Sequence, residues 1–211
     1  MPILEIKKLS ENRLLAVWKI TETLEQLSET LRLNDDEMAV LKTMTIVRKQ
    51  KEWICARLTI KALLQSKGLS YHGTFNNEYG KPILSKVTGE VSLSHSYPYV
   101  AAIYDVQDDV GIDLEHPKPK LAVISKKFMS PSELKAAGTN LTKLCIYWSA
   151  KEALYKIYSH RGLIFKENLR IEPFELQQQG RITGSIIVNK EEKKYNLHYC
   201  VNQEYVLVYN V

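Results

Sequence analysis

Cysteine is scarce in this chain, and its distribution excludes two classes at once. Cys55, Cys145 and Cys200 are the only three in 211 residues, far apart, odd in number and each in an apolar context. They form neither a disulfide framework nor a metal-ligand spacing, which points to a reducing compartment. Long apolar runs are also missing: none approaches membrane-spanning length. The opening MPILEIKKLSENR lacks the apolar core of a secretion signal, so the expectation is a cytoplasmic protein with no membrane partner. No low-complexity segment or obvious linker interrupts the chain. Charge of one sign is not in great excess either. Lys+Arg 29 against Asp+Glu 24 leaves +5, a mild bias toward an anionic partner such as a phosphorylated small molecule or an acidic protein. Nucleic acid is not expected, because the aromatic residues fall mostly in strand-like segments with no basic interleaving.

What is present is ordinary globular material. Hydrophobic residues at 45% and charged residues at 25% supply a core and a solvated surface, so wholesale disorder is excluded. Leu14 to Ile20 reads as a strand, with Thr21 as N-cap of a following helix. Asn34-Asp35-Asp36-Glu37 opens a helix running to about Lys49. A second recurs through Trp53, Ala56, Arg57, Ile60, Leu63 and Leu64 until Lys67-Gly68 stops it. Residues 70–82 read as irregular and exposed, and 91–93, 99–105 and 110–115 as strands. The second half repeats this order loosely. It has a helical segment 120–136 with Ser130 as cap and Pro131 in the first turn, and a periodic helix from Leu141 to Ser159. Strands follow, with expected turns at Gly180-Arg181 and Glu191 to Lys194. Two α+β domains meeting near 105–115, residues 1–108 and 109–211, are the simplest division.

The chemistry gathers in a few short stretches. In Val110-Gly111-Ile112-Asp113-Leu114-Glu115, strand alternation puts Asp113 and Glu115 on one face and Ile112 and Leu114 on the other. That is half of an oxygen-ligand site for a hard cation, or equally an edge strand with a solvated acidic face. On the helix around residue 150, Trp148, Glu152 and Tyr155/Lys156 lie beside the apolar stripe of Leu144, Tyr147, Leu154, Ile157 and Tyr158. Glu152 and Lys156 could be a surface ion pair, or, with Lys151, a carboxylate for a cation and ammonium groups for phosphate. Ser92-Leu93-Ser94-His95-Ser96 and Gly80-Lys81-Pro82 offer hydroxyls, an imidazole and a lysine near turns, where a solvated role is the ordinary one.

Together these segments resemble the 4′-phosphopantetheinyl transferases of the long, single-chain, Sfp-like kind. The likeness runs in order through Arg48…Ala56-Arg57, Gly80-Lys81-Pro82, Ser94-His95-Ser96, Gly111-Ile112-Asp113-Leu114-Glu115, Phe128…Glu133 and Trp148-Ser149-Ala150-Lys151-Glu152-Ala153-Leu154-Tyr155-Lys156. The paired signatures G-x-D-x-E and W-S-x-K-E-x-x-x-K are the specific part. Two departures stand out: Ser92 occupies a position where family members often have Asn, and Leu114 offers no ligand between the two acids.

The resemblance implies an α+β pseudo-dimer of two similar α/β halves, with the active site in the cleft between them. It implies Mg²⁺ held by Asp113, Glu115 and Glu152 on the pyrophosphate of coenzyme A, the co-substrate. Lys151 and Lys156 would contact its phosphates, with Arg48, Lys81, Ser94 and His95 around the nucleotide. Glu152, Lys156 and Lys151 would then be catalytic in moving the phosphopantetheine arm to a serine of an apo acyl or peptidyl carrier protein, an acidic helical domain. A monomer is expected. The competing expectation is a non-catalytic coenzyme A or nucleotide-binding module of the same fold, against which the retained acids and lysines argue.

Overall fold

The computed structural model describes residues 3–211; Met1 and Pro2, where the segment read as lacking a secretion signal begins, lie outside the described residues. The chain divides into two compact units, one ending at Val110 and one running from Gly111 to Val211, so the division falls two residues after the expected 108/109 boundary. Both units combine helices with antiparallel sheet, a mixed α+β architecture. Among the described residues no helix is long and apolar enough to cross a membrane.

The first unit contains β1 (Ile3–Lys8), β2 (Arg13–Lys19), α1 (Leu24–Leu31), α2 (Asp35–Lys42), α3 (Val47–Ser66), β3 (Thr74–Asn76), β4 (Pro82–Leu84), β5 (Glu90–Ser96) and β6 (Tyr99–Asp105). Its main sheet has the order β1-β2-β6-β5, all antiparallel, while β3 and β4 form a separate pair within the stretch expected to be irregular. The central strands β2 and β6 are buried almost throughout, as their unbroken apolar runs require of strands covered on both faces. Arg13 and Asp105, opposite each other in register, close that pairing with a buried ion pair of 2.7 Å. From α3, Ile54, Cys55 and Leu58 join one apolar cluster with Trp18 and Val100, and Ile60, Leu63 and Leu64 join another with Ala102 and Tyr104.

Two helix boundaries differ from the sequence expectation. The cap of α1 is Thr23, whose hydroxyl accepts from Gln26 N while the Gln26 side chain accepts from Thr23 N; this reciprocal pair fixes the start two residues after Thr21. The helix opened by Asn34 stops at Lys42, and α3 begins separately at Val47. The β-branched run Thr43 to Val47, with Met44 the one exception, carries the break.

The second unit contains β7 (Ile112–Glu115), α4 (Lys120–Phe128), α5 (Pro131–Ala137), α6 (Leu141–Tyr158), α7 (Phe165–Asn168), β8 (Leu169–Ile171), β9 (Gln179–Val188), β10 (Glu191–Val201) and β11 (Val206–Asn210). Its antiparallel sheet has the order β7-β11-β10-β9-β8. The apolar stripe of α6, with Leu144, Tyr147, Leu154 and Ile157, shares a core with Leu197, Tyr199, Val206 and Val208 of the sheet. The single helix expected over 120–136 is two, separated at Met129-Ser130, where Ser130 caps α5 and Pro131 takes its first turn.

Both expected turns in the second half move. Gly180 lies inside β9, opposite Tyr199, where a Cβ would come within 2.9 Å of the ring; the glycine serves close packing. Residues 175–177, before β9, lie outside regular structure. The β9–β10 hairpin turns at Asn189 and Lys190, with φ of 52° and 69°, so Glu191 to Lys194 already belong to the paired strand. Of the three cysteines, Cys55 and Cys145 are buried, which raises the pKa of their thiols, and Cys200 is partly exposed.

Candidate active site

The second unit brings the two signatures together. Strand β7 lies at the sheet edge, paired with β11 so that Asp113 faces Val208 and Glu115 faces Val206. Gly111, just before the strand, has a steric reason to be glycine. A Cβ there would sit 2.1 Å from the Ala153 carbonyl oxygen of α6, so a side chain would push strand and helix apart beside Glu152. The glycine is pinned from the other side, donating its N–H to Asn210 Oδ1 at 2.9 Å and accepting from Asn210 N at 3.2 Å.

Close approach of β7 and α6 lets Lys156 reach across. Its Nζ donates to Asp113 Oδ1 at 2.9 Å and to the Ile112 carbonyl at 2.7 Å. Asp113 is buried, whereas Glu115 is partly exposed, with Lys118 Nζ at 3.7 Å and its own Oε1 accepting from His116 N at 2.8 Å. Glu152, one turn before Lys156, is partly buried, and its carboxyl is pushed up to about 7 from an ordinary value near 4.5. Burial is the largest cause, followed by the negative charge of Asp113; Lys156 opposes and Glu115 adds to the rise.

Asp113, Glu115 and Glu152 therefore share one negative field, as donors for a divalent cation must. They are not a finished cage: among the described residues no three His, Cys, Asp or Glu side chains are already arranged around a metal position. The oxygen-only donor set and the mutual repulsion recorded by Glu152 nonetheless fit a hard cation such as Mg²⁺, which takes few protein carboxylates and completes its shell with phosphate and water.

Lys151 departs from expectation. It is fully buried, and its Nζ donates to the carbonyls of Leu169 (2.7 Å), Phe128 (2.8 Å) and Phe165 (3.1 Å) and to Glu133 Oε2 (2.8 Å). An ammonium has only three N–H donors, so four acceptors consume it. The expected phosphate contact and catalytic role of Lys151 are thus corrected to an internal brace. Successive helix positions point about 100° apart, so Lys151 and Glu152 cannot serve one face, whereas Glu152 and Lys156 can. Sequence reasoning also passed over Glu133 as the partner. The signal was there in Ser130-Pro131-Ser132-Glu133, a capping box in which Glu133 Oε2 accepts from Ser130 N at 2.7 Å. Its other oxygen accepts from Ile171 N at 2.8 Å.

Beside Glu152 opens an apolar cavity of about 490 Å³, lined by Ile124, Lys127, Phe128, Trp148, Glu152 and Phe165. Trp148 packs on two aromatic neighbours, edge-on to Phe128 at 5.0 Å and tilted against Phe165 at 5.7 Å.

In the first unit the expected nucleotide residues gather differently. Arg48, largely exposed, has Nε 3.9 Å from Glu52 Oε1, and His95 Nδ1 lies 3.5 Å from Glu52 Oε2. Glu52, which sequence reasoning did not single out, is buried and also holds Lys49 Nζ at 2.9 Å. Its position one helical turn from Arg48 was the available signal. Glu52 and His95 line a cavity of about 320 Å³ with Trp53, Arg57, Gly80 and Pro82. The Arg57 guanidinium stacks on the Trp53 ring at 3.3 Å, and burial lowers its pKa to about 10. Lys81 is held by Glu90 at 2.5 Å and Asp109 at 3.3 Å, and Ser94 is buried on β5.

No curated protein matches the chain. A family model does, over the segment that holds β7, α6 and the closing sheet: the model of the 4′-phosphopantetheinyl transferase superfamily, a superfamily of transferases, matches residues 109–209.

Proposed function

We propose that this protein transfers the 4′-phosphopantetheine arm of coenzyme A to a serine of an apo acyl or peptidyl carrier protein, releasing 3′,5′-ADP. The observation that carries the reading is Glu152: a carboxyl raised to about 7 by burial and by Asp113, on a helix held against the G-x-D-x-E strand. A base with that proton affinity accepts a proton efficiently near neutral pH.

In the proposed step the serine oxygen bonds to the β-phosphorus of coenzyme A, and the bond from that phosphorus to the bridging pyrophosphate oxygen breaks. The serine proton goes to Glu152, and the electron pair of the broken bond stays on the departing 3′,5′-ADP. Lys156, steered by Asp113 and the Ile112 carbonyl, offers an ammonium to oxygens on which negative charge develops. Asp113, Glu115 and Glu152 would hold Mg²⁺, which when bound neutralises the pyrophosphate and makes its phosphorus more electrophilic. The apolar cavity beside Glu152 suits the pantetheine arm. On the first unit, the reading assigns His95, Arg48, Lys81 and Ser94 to the nucleotide and its 3′-phosphate.

An acidic helical carrier fits the +5 balance and the basic α4, where exposed Lys126 and Lys127 stand near exposed Val123 and Lys127 borders the cavity. The same reading assigns the protein to the cytoplasm as a monomer. The test is mass spectrometry of a purified apo carrier incubated with this protein, coenzyme A and Mg²⁺. A mass gain of one phosphopantetheine arm on the carrier serine is the expected result. Coenzyme A binding without a mass gain over several carriers would leave a binding module.

A further inference from the structure

The corrected position of Lys151 has a geometry of its own. Its Nζ grips the backbone carbonyls of Phe128 and Phe165, and the side chains of those two residues are walls of the apolar cavity, each packed on Trp148. They come from distant parts of the chain, the end of α4 and the start of α7. The third carbonyl, Leu169, belongs to β8, and the carboxylate partner Glu133 belongs to α5 and also accepts from Ile171 N of β8. One ammonium on α6 therefore ties together every element that forms the two walls, one residue before Glu152. Both members of the Lys151–Glu133 pair are buried, at 0% and 2% side-chain exposure, so water does not compete for these bonds.

We infer that Lys151 is a positioning residue that sets the separation of the Phe128 and Phe165 walls, and thereby the recognition of the pantetheine arm of the co-substrate. This rests on the proposed function above. It differs from a phosphate contact in a measurable way, because coenzyme A carries the arm and 3′,5′-ADP does not. A phosphate contact acts on both ligands; a wall-setting brace acts on coenzyme A alone.

The experiment measures calorimetric binding of coenzyme A and of 3′,5′-ADP to the full-length protein, to Lys151→Met with Glu133→Gln, and to Phe165→Ala. In the double variant the buried carboxylate is removed with its partner, so no uncompensated charge is left inside. Coenzyme A affinity is expected to fall about tenfold or more in both variants, equivalent to about 1.4 kcal/mol of lost binding to the arm. Affinity for 3′,5′-ADP is expected to stay within about twofold, since neither change reaches the phosphates. Equal loss for both ligands in the Lys151 variant, or no loss for either, overturns the inference. If the wild type binds 3′,5′-ADP but gains nothing from the arm of coenzyme A, the inference also falls while a nucleotide site survives; if it binds neither, the proposed function falls with it.

A second measurement does not depend on the variant folding. Amine acylation of the native protein, read by peptide mass spectrometry, is expected to modify Lys127 and to spare Lys151 whether or not coenzyme A is present. Labelling of Lys151 in the free protein, with protection only on adding coenzyme A, would overturn the brace.

Discussion

The two long helices invite comparison, because each carries a glutamate facing side chains of an antiparallel sheet strand and the two meet opposite electrostatic surroundings. Glu52 on α3 has the cations Lys49 at 2.9 Å and Arg48 at 3.9 Å beside it, with the His95 imidazole at 3.5 Å. Glu152 on α6 has Asp113 and Glu115 for neighbours, and of the nearby cations Lys156 is already committed to Asp113. One layout, a helix over a sheet, thus yields an acid satisfied by side chains and an acid that burial and like charge make reluctant to ionise. The lesson is that the sheet-and-helix plan fixes where a carboxylate stands, while a handful of neighbours fixes whether it closes a structure or waits for a proton or a cation.

That contrast can be broken most severely at Glu152. Glu152→Gln is expected to lower transfer by about 10²-fold or more, the usual scale for a lost general base, with the far-ultraviolet circular dichroism unchanged; near-normal turnover at saturating Mg²⁺ would sink the assignment. The corresponding change in the first unit should be milder and of a different kind. His95→Ala is expected to raise the KM for coenzyme A about tenfold, equivalent to one lost charge-assisted contact, while kcat stays within about twofold. An equal fall in kcat and kcat/KM would instead place His95 at the reacting bond.

Smaller effects fall on stability. Gly111→Ala should cost about 1–3 kcal/mol, as forced overpacking does, read as a melting temperature lower by several degrees. The pH dependence of stability should carry the signature of Glu152. Its folded carboxyl holds a proton more tightly than in the unfolded chain, so its contribution is full below about 4.5 and is lost as pH rises through about 7. Melting curves of the metal-free protein should therefore lose stability across that window, Glu152→Gln should flatten the loss, and Mg²⁺ should reverse it. A wild-type profile identical to that of Glu152→Gln would remove the electrostatic reading.

Much of the site was legible in the sequence, for reasons that are local. Alternation in residues 110–115 placed Asp113 and Glu115 opposite the buried Ile112 and Leu114, and helical spacing put Glu152 and Lys156 one turn apart on the same helix. What escaped was set by partners distant in sequence. Lys151 stands next to Glu152 along the chain but points inward to Glu133 and to three carbonyls that no local pattern announces. Glu52 was hidden for the same reason, since the approach of His95 from β5 depends on the sheet. The fold shows the same division. Buried β2, β6, α3 and α6 declared themselves by apolar runs and periodicity, whereas the β9–β10 turn did not, because Asn189 and Lys190 take left-handed conformations without a glycine to advertise them.

The burial of Cys55 and Cys145 has a consequence for a protein whose proposed co-substrate ends in a thiol. Such a ligand oxidises to its symmetrical disulfide on storage, and that species captures any protein thiolate it can reach. Two of the three thiols are shut inside the cores of their respective units with their ionisation suppressed, so exchange with oxidised coenzyme A is confined to Cys200 on β10. A preparation left with aged co-substrate would thus accumulate one mixed disulfide on the sheet, and a reductant would restore it without refolding either core.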